Sequence, residues 1–318
     1  MSFLYKVDYI NILFNSLQCA VIQQKFTVNR TNHSRTKENL TKPMSKSILI
    51  TGCSTGIGLY CAKTLHNEGF KVIASVRNTE HLKQFETLGI PCVLIDLADE
   101  HSIQNGFNEA LSLCNGKLDV LFNNGAYGQP GAVEDLPTEV LRQQFEVNFF
   151  GWHSITKLAV KHMRKHGQGR IVQNSSVLGL VALPYRGAYN ASKFALEGLT
   201  DTLRMELADT NIQVSLIEPG PILSEFRKNA RIAFEEHINI EDSFHKAEYQ
   251  AQLTRLKAQT APQKFTLGPD AVYEKLLHAI TAPKAKARYY VTFPTYFMGY
   301  LKRILSSALL DKILLKNR

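Results

Sequence analysis

The 318-residue sequence is short of cysteine and of long apolar runs, and each shortage narrows what the chain can be. Its five cysteines, Cys19, Cys53, Cys61, Cys92 and Cys114, are odd in number, widely spaced and without a Cys-x-x-Cys pair. That pattern argues against a disulfide framework, a zinc site or a redox couple, and fits a reducing cytoplasm. The longest uncharged stretch near the start, residues 9–24, is broken by Asn11, Asn15, Ser16, Gln18, Gln23 and Gln24. It is too short and polar for a membrane span, and lacks the basic flank and small-residue site of a signal peptide.

A basic face on the body of the chain is missing too. The formal charge is +9, but residues 44–283 carry −2 while 1–43 and 284–318 carry +4 and +7. A near-neutral body with basic ends argues against nucleic acid as a partner. Residues 1–43 close on a polar, basic run and Pro43, a linker composition. Met44 is a candidate start, which makes 1–43 an extension; a flexible tail or a partner-binding arm is the alternative.

From Ser47 onward, short apolar runs alternate with longer amphipathic ones. Strands are expected at 48–51, 71–76, 92–96, 120–123, 170–175, 213–217 and 289–292, with helices beginning near Gly56, Thr79, Glu100, Thr138, Ala188 and Gly268. Continuous apolar strands alternating with helices predict an α/β, doubly wound, Rossmann-type parallel sheet of about seven strands, covered on both faces. Residues 44–283 would form the catalytic domain, followed by a last strand and a basic, amphipathic C-terminal tail over 284–318. The segment 221–267 breaks the rhythm: it is charged, helical in pattern, and carries Phe226, Ile232, Phe234 and Phe244. A lid over a ligand crevice is the expectation, with a plain surface insertion as the alternative.

The first strand runs into Thr51-Gly52-Cys53-Ser54-Thr55-Gly56-Ile57-Gly58. Glycines let this turn approach a pyrophosphate, whose charge meets the free amides of the next helix, so Gly52, Ser54, Thr55, Gly56, Ile57 and Gly58 are candidate cofactor contacts. At the end of the second strand Val76 offers no carboxylate for ribose hydroxyls, whereas Arg77 can pair with a 2′-phosphate. NADP(H) is therefore favoured over NAD(H), with a solvated Arg77 as the alternative. Asp96 and Leu97 follow the third strand on the adenine side, and Asn124 and Gly125 form a small-residue turn after the fourth.

Tyr189 and Lys193 stand four apart, on one face of a helix, with Ser176 thirteen residues before Tyr189. A phenol titrating near 10 is a poor base at neutral pH; an adjacent ammonium favours its ionised form. Tyr189 can then exchange a proton with a substrate oxygen that Ser176 polarises.

With these residues together, the chain resembles the short-chain dehydrogenase/reductase family over about 44–280. The match rests on the glycine turn, Asn123-Asn124-Gly125-Ala126, Ser176, and Tyr189-x-x-x-Lys193. The resemblance implies that Asn148, in Val147-Asn148-Phe149-Phe150-Gly151, holds a water in a proton relay to Lys193. It also implies that Lys193 orients the ribose and that Pro219, Gly220, Ile222 and Ser224 lie beside the nicotinamide. Two departures are visible: Asn-Asn-Gly-Ala replaces the family's Asn-Asn-Ala-Gly, and Ser224 stands where a threonine is usual. Finer texture, including Ile217-Glu218-Pro219-Gly220-Pro221-Ile222, is similar to the branch with 17β-hydroxysteroid and retinol dehydrogenases and bacterial aldehyde reductases. That branch implies small apolar carbonyl or alcohol substrates and, commonly, homo-oligomers.

The resulting expectation is an oxidoreductase that reduces an apolar aldehyde or ketone reversibly, with Asn148, Ser176, Tyr189 and Lys193 catalytic and no metal. An NAD(H)-dependent dehydrogenase and an idle NADP(H)-sensing protein are the alternatives. His162 and His166 read as a solvated basic face, Cys53 as a packing residue, and Trp152, the single tryptophan, as helix packing. The aromatic, basic tail is compatible with peripheral membrane contact, with folding back over the substrate mouth, or with packing on a second subunit.

Overall fold

The computed structural model describes residues 46–257 and 265–316. The expectations for residues 1–43, Cys19 among them, lie outside the described residues. Seven strands form one all-parallel sheet in the order β3-β2-β1-β4-β5-β6-β7. They are β1 (Ser47–Ile50), β2 (Lys71–Val76), β3 (Cys92–Leu94), β4 (Val120–Asn123), β5 (Gly169–Asn174), β6 (Ile212–Glu218) and β7 (Arg288–Tyr290). The order reverses direction beside β1 and β4, and that switch opens a crevice at the carboxyl ends of the strands.

Side chains alternate between two cores. Ile48 and Ile50 face one side while Leu49 faces the other; Val72, Ala74 and Val76 likewise oppose Ile73. The first core is closed by helices α1 (Gly56–Asn67), α2 (Leu82–Leu88) and α9 (Asp270–Thr281). The second is closed by α3 (Glu100–Leu113), α5 (Gly151–Lys165) and α6 (Gly187–Glu206). Each fully buried Leu or Ile contributes about 1.5–3 kcal/mol, which is why strands apolar on both faces are stable only between two helical layers.

Several element ends differ from the sequence-based expectation. β3 stops at Leu94 rather than 96 because Asp96 leaves the ladder: its amide donates to Ser102 Oγ at 2.9 Å and its carboxylate accepts from Ala98 N at 3.0 Å. β7 begins and ends earlier, since Thr292 opens α10 (Phe293–Ile304) with Pro294 in the first turn. Between α4 (Thr138–Phe145) and α5 lies a π-helical turn, Glu146–Phe150, that no pattern in the sequence signalled.

The 221–267 segment contains α7 (Phe226–His237) and α8 (Lys246–Lys257). It leaves and returns at one place: Leu223 N donates to Leu267 O at 2.9 Å, and Leu267 N donates to Pro221 O at 3.2 Å. Phe234, Ile238 and Tyr249 pack with Ala132 in a third, smaller cluster. After α10 the chain continues into α11 (Ser307–Leu315). Among the described residues no helix is long and apolar enough to cross a membrane.

Candidate active site

The glycine turn is built by close backbone contact. A Cβ on Gly58 would lie 2.3 Å from Gly52 O and 2.7 Å from Asn124 Nδ2, and one on Gly52 would lie 2.4 Å from Gly125 Cα. Gly52 and Gly56 also have φ of 67° and 57°, the left-handed region. Thr51 ties the two turns together, its hydroxyl accepting from the amides of Asn124 at 2.9 Å and Gly125 at 3.0 Å. At the start of α1 Thr55 makes no side-chain cap, and the first turn carries no acidic residue. The orphan amides and the positive helix end are thus free for an anion, and the bare glycine backbone leaves room for one, so these residues fit a dinucleotide pyrophosphate.

The adenosine-side residues gather around that turn. Gly125 abuts Leu97, whose Cδ1 is 3.0 Å from where a Cβ on Gly125 would sit. A side chain at 125 would crowd Leu97 and the Gly52 amide, so the glycine of the Gly-Ala order suits this position. Arg77 is exposed at the end of β2, and its charge acts on Tyr127, opposing the burial that raises that phenol. Ser224 closes over the turn from the other side: a Cβ on Gly56 would meet Ser224 Cβ at 3.0 Å. Pro219 O accepts from Val177 N at 2.8 Å, and a Cβ on Gly220 would lie 2.1 Å from Thr292 Oγ1. The first turn of α10 thus packs on the Pro219-Gly220 turn, and Lys302 further along α10 stacks 4.3 Å above the Phe194 ring of α6. Ile222 is half-buried and pairs with Leu267 at the neck of the inserted segment.

Ser176, Tyr189 and Lys193 converge. Ser176 ends the loop after β5, accepts from Leu178 N at 3.1 Å, and hydrogen-bonds the Tyr189 hydroxyl. Lys193 is fully buried, donates to Asn174 O at 3.0 Å, and lies 5.6 Å from the Tyr189 ring centroid. Burial pushes Tyr189 up to about 12, against the Ser176 hydrogen bond and the Arg186 charge. Burial also drives Lys193 down to about 7, against the opposing charge of Glu197. This direction is opposite to the one expected from a neighbouring ammonium: for the phenol, desolvation outweighs the Ser176 hydrogen bond and the Arg186 charge, and it disfavours the charged form of Lys193 as well. Asn148 is buried on the π-turn and makes a reciprocal pair with Tyr127, donating to its carbonyl at 2.8 Å and accepting from its amide at 3.2 Å. π-turns of this kind re-aim a side chain that a regular helix would turn away.

Two residues of the site escaped sequence reasoning. Asn174 joins the halves: its amide donates to Asn124 Oδ1 at 2.9 Å while its carbonyl holds Lys193. Trp152 is packed, as expected, but it also donates to Gly125 O at 2.6 Å and presents its ring 4.2 Å from Lys193 Nζ. The available signals were an asparagine at the end of β5 and a lone tryptophan three residues after Phe149.

Elsewhere, His162 is half-buried and accepts from Leu118 N at 3.1 Å, and burial lowers it, so it is a packed joint rather than a solvated face. Among the described residues no group of His, Cys, Asp and Glu could hold a metal. Cys53 is buried, donates to Ile50 O at 3.1 Å, and is held protonated by burial, a packing residue.

The profile of the short chain dehydrogenase family matches residues 46–233. An uncharacterized oxidoreductase of Escherichia coli (strain K12), YbbO, is 42% identical over 282 residues, covering 89% of this chain and 98% of that protein. Among solved structures, a short chain dehydrogenase from Burkholderia cenocepacia J2315 in complex with NADP is 21% identical. It covers 85% of this chain and 98% of its own, with a TM-score of 0.67. A short chain dehydrogenase/reductase from Burkholderia phymatum in complex with NAD is 24% identical, covering 83% and 94%, with a TM-score of 0.68. The two share the fold and differ in the dinucleotide they hold. With a seven-stranded parallel sheet, a glycine cradle and a Ser-Tyr-Lys cluster at the sheet's switch point, this chain belongs to the short chain dehydrogenase family of oxidoreductases.

Proposed function

We propose that the protein is an NADP(H)-dependent reductase of small apolar aldehydes or ketones, reversible toward the alcohol. The observation that carries this reading is the convergence of Ser176, Tyr189 and Lys193 beside an apolar wall. The Phe226 ring meets the Tyr189 ring edge-on at 5.3 Å, and a Cβ on Gly128 would lie 2.7 Å from Phe226 Cζ. An apolar side chain of a substrate fits against that wall. The α7 helix that carries Phe226 would serve as its lid.

A bound nicotinamide supplies or accepts the hydride. Ser176 Oγ hydrogen-bonds the substrate oxygen and stabilises the charge that develops on it. Tyr189, with its hydroxyl pushed up to about 12, is protonated throughout the neutral range and gives that proton to the oxygen. A protonated phenol suits reduction; removal of an alcohol's proton requires the ammonium of Lys193, and the positive charge of an oxidised nicotinamide, to bring Tyr189 down. Lys193 orients the ribose, and Asn148 holds the loop at Tyr127 in register beneath it. Arg77, exposed with no acidic residue at the end of β2, supports a 2′-phosphate and hence NADPH.

The test is oxidation of NADPH and NADH by purified protein with medium-chain aldehydes, retinal and steroid ketones. Turnover faster with NADPH, falling by about 10²–10⁴-fold in Tyr189→Phe, is the expected result. Preference for NADH would shift the reading to an NAD(H)-dependent dehydrogenase, and activity unchanged in Tyr189→Phe would sink the assigned mechanism.

A further inference from the structure

One turn beyond Lys193, α6 carries a second buried ionic cluster. Glu197 is 6% exposed and Glu218, at the end of β6, is fully buried. A single guanidinium, Arg288 on β7, serves both: Nη1 bonds Glu197 and lies 2.6 Å from Glu218 Oε1, while Nη2 lies 2.5 Å from Asp201 Oδ2. Two nearly inaccessible carboxylates thus share one cation, and a third at the rim, Asp201, is shared between Arg288 and Arg204. The Glu197 charge acts also on Lys302 of α10. Such clusters are costly, because several kcal/mol of desolvation per ion must be offset, and well-packed apolar side chains often serve stability as well. A stability role alone therefore explains this cluster poorly.

Its position suggests another role. Positions four apart on a helix are neighbours, so Glu197 lies on the Lys193 face of α6. The other groups around Lys193 are uncharged or aromatic: the Asn174 carbonyl, the Trp152 ring and the Tyr189 ring. The carboxylate whose charge acts on Lys193 is Glu197. Glu197 also underlies the turn that follows Ser176, since a Cβ on Gly179 would lie 2.8 Å from Glu197 Cγ. Glu218 immediately precedes Pro219-Gly220. One guanidinium thereby clips the Lys193 helix to the strand that carries the cofactor-side turn.

We propose that Glu197 is a positioning residue whose carboxylate favours the ammonium of Lys193 against burial, and that Arg288 holds Glu197 in place for this task. The proposal rests on the Tyr189–Lys193 reading above, but its test needs neither substrate nor cofactor. Without Glu197, burial acts on Lys193 unopposed and the ammonium deprotonates at lower pH. Glu218 competes for Arg288 and is itself held toward its protonated form by burial and by the Glu197 charge. Burial raises Glu197 as well, opposed by a Ser175 hydrogen bond and by the Arg288 charge, so the two carboxylates titrate as a pair around one guanidinium.

Trp152 is the only tryptophan, and its ring lies 4.2 Å from Lys193 Nζ, so its emission reports the charge there. The experiment is a pH titration of intrinsic fluorescence in the full chain, with Lys193→Met identifying the inflection that belongs to the ammonium. Glu197→Gln should move that inflection to lower pH by about one unit, the low end of what loss of a nearby opposite charge produces. Asp201→Asn also removes a partner of Arg288 but leaves the Glu197 charge, and should leave the inflection in place. Glu197→Asp, which keeps the charge but draws it back, should give a smaller shift of the same sign and serves if Glu197→Gln fails to fold. An inflection unmoved in folded Glu197→Gln, or moved equally by Asp201→Asn, would overturn the proposal. Loss of turnover in Tyr189→Phe is a separate result and bears only on the assigned mechanism.

Discussion

At Gly58 a single hydrogen atom in place of a side chain keeps the two halves of the cofactor cradle together. A methyl there would sit 2.3 Å from Gly52 O, which is backbone and cannot swing aside. Gly58→Ala should therefore displace the turn from Asn124, costing about 1–3 kcal/mol of stability. It should also weaken dinucleotide binding, read by denaturant melts and a cofactor titration of the same variant. Glu218 has a different signature. Burial first, and then the Glu197 charge, push it up to about 8, above the ~4.3 of an unfolded glutamate. Between these values the folded state keeps a proton that the unfolded chain has released. Stability fully present below about pH 4.3 is therefore lost as pH rises through about 8. Glu218→Gln removes this titration while keeping an acceptor for Arg288. Its stability should fall less than that of the wild type between pH 5 and 9 in urea denaturation. Identical pH slopes would mean that Glu218 ionises as it does in water.

At the scale of elements, strands and helices were largely legible because a buried parallel sheet demands apolar runs and its covering helices demand amphipathic ones. What the pattern missed were ends set by single side chains, as where Asp96 and Ser102 close β3. The π-turn at Glu146–Phe150 was invisible because its extra residue serves Asn148 and leaves the flanking helices in phase with their core. The inserted segment was legible as an interruption, but its burial was not. Phe234 is buried while Phe244, equally apolar, is 93% exposed, and what separates them is the cluster of Ala132, Ile238 and Tyr249 that receives Phe234. Phe226 is the element's contact with Tyr189. Phe226→Ala removes the ring proposed to face an apolar substrate, and losing about 0.5–1.5 kcal/mol of contact with it should raise KM for a bulky apolar substrate about 2–10-fold. A short aldehyde that does not reach the wall should be much less affected, and equal effects on both would deny α7 a part in recognition. Steady-state kinetics on a chain-length series makes the comparison.

Across the whole molecule, the sequence by itself determined the sheet class, the glycine cradle and the Ser176, Tyr189, Lys193 set. Each of these depends on local spacing: a strand running into a turn, or two side chains one helical turn apart. The tertiary structure decided what those residues experience. Arg288 and Glu197 are 91 residues apart in the chain and meet because β7 pairs with β6. Asn174 reaches both Asn124 and Lys193 because β5 lies beside β4 at the switch point. The same closure buries Lys193 and half-buries Tyr189, so desolvation weighs on their protonation where sequence spacing alone implied an ammonium favouring the phenolate. Adjacency along the chain selects which groups are present. Their charge depends on how much water the assembled fold leaves around them, a quantity that no local pattern contains.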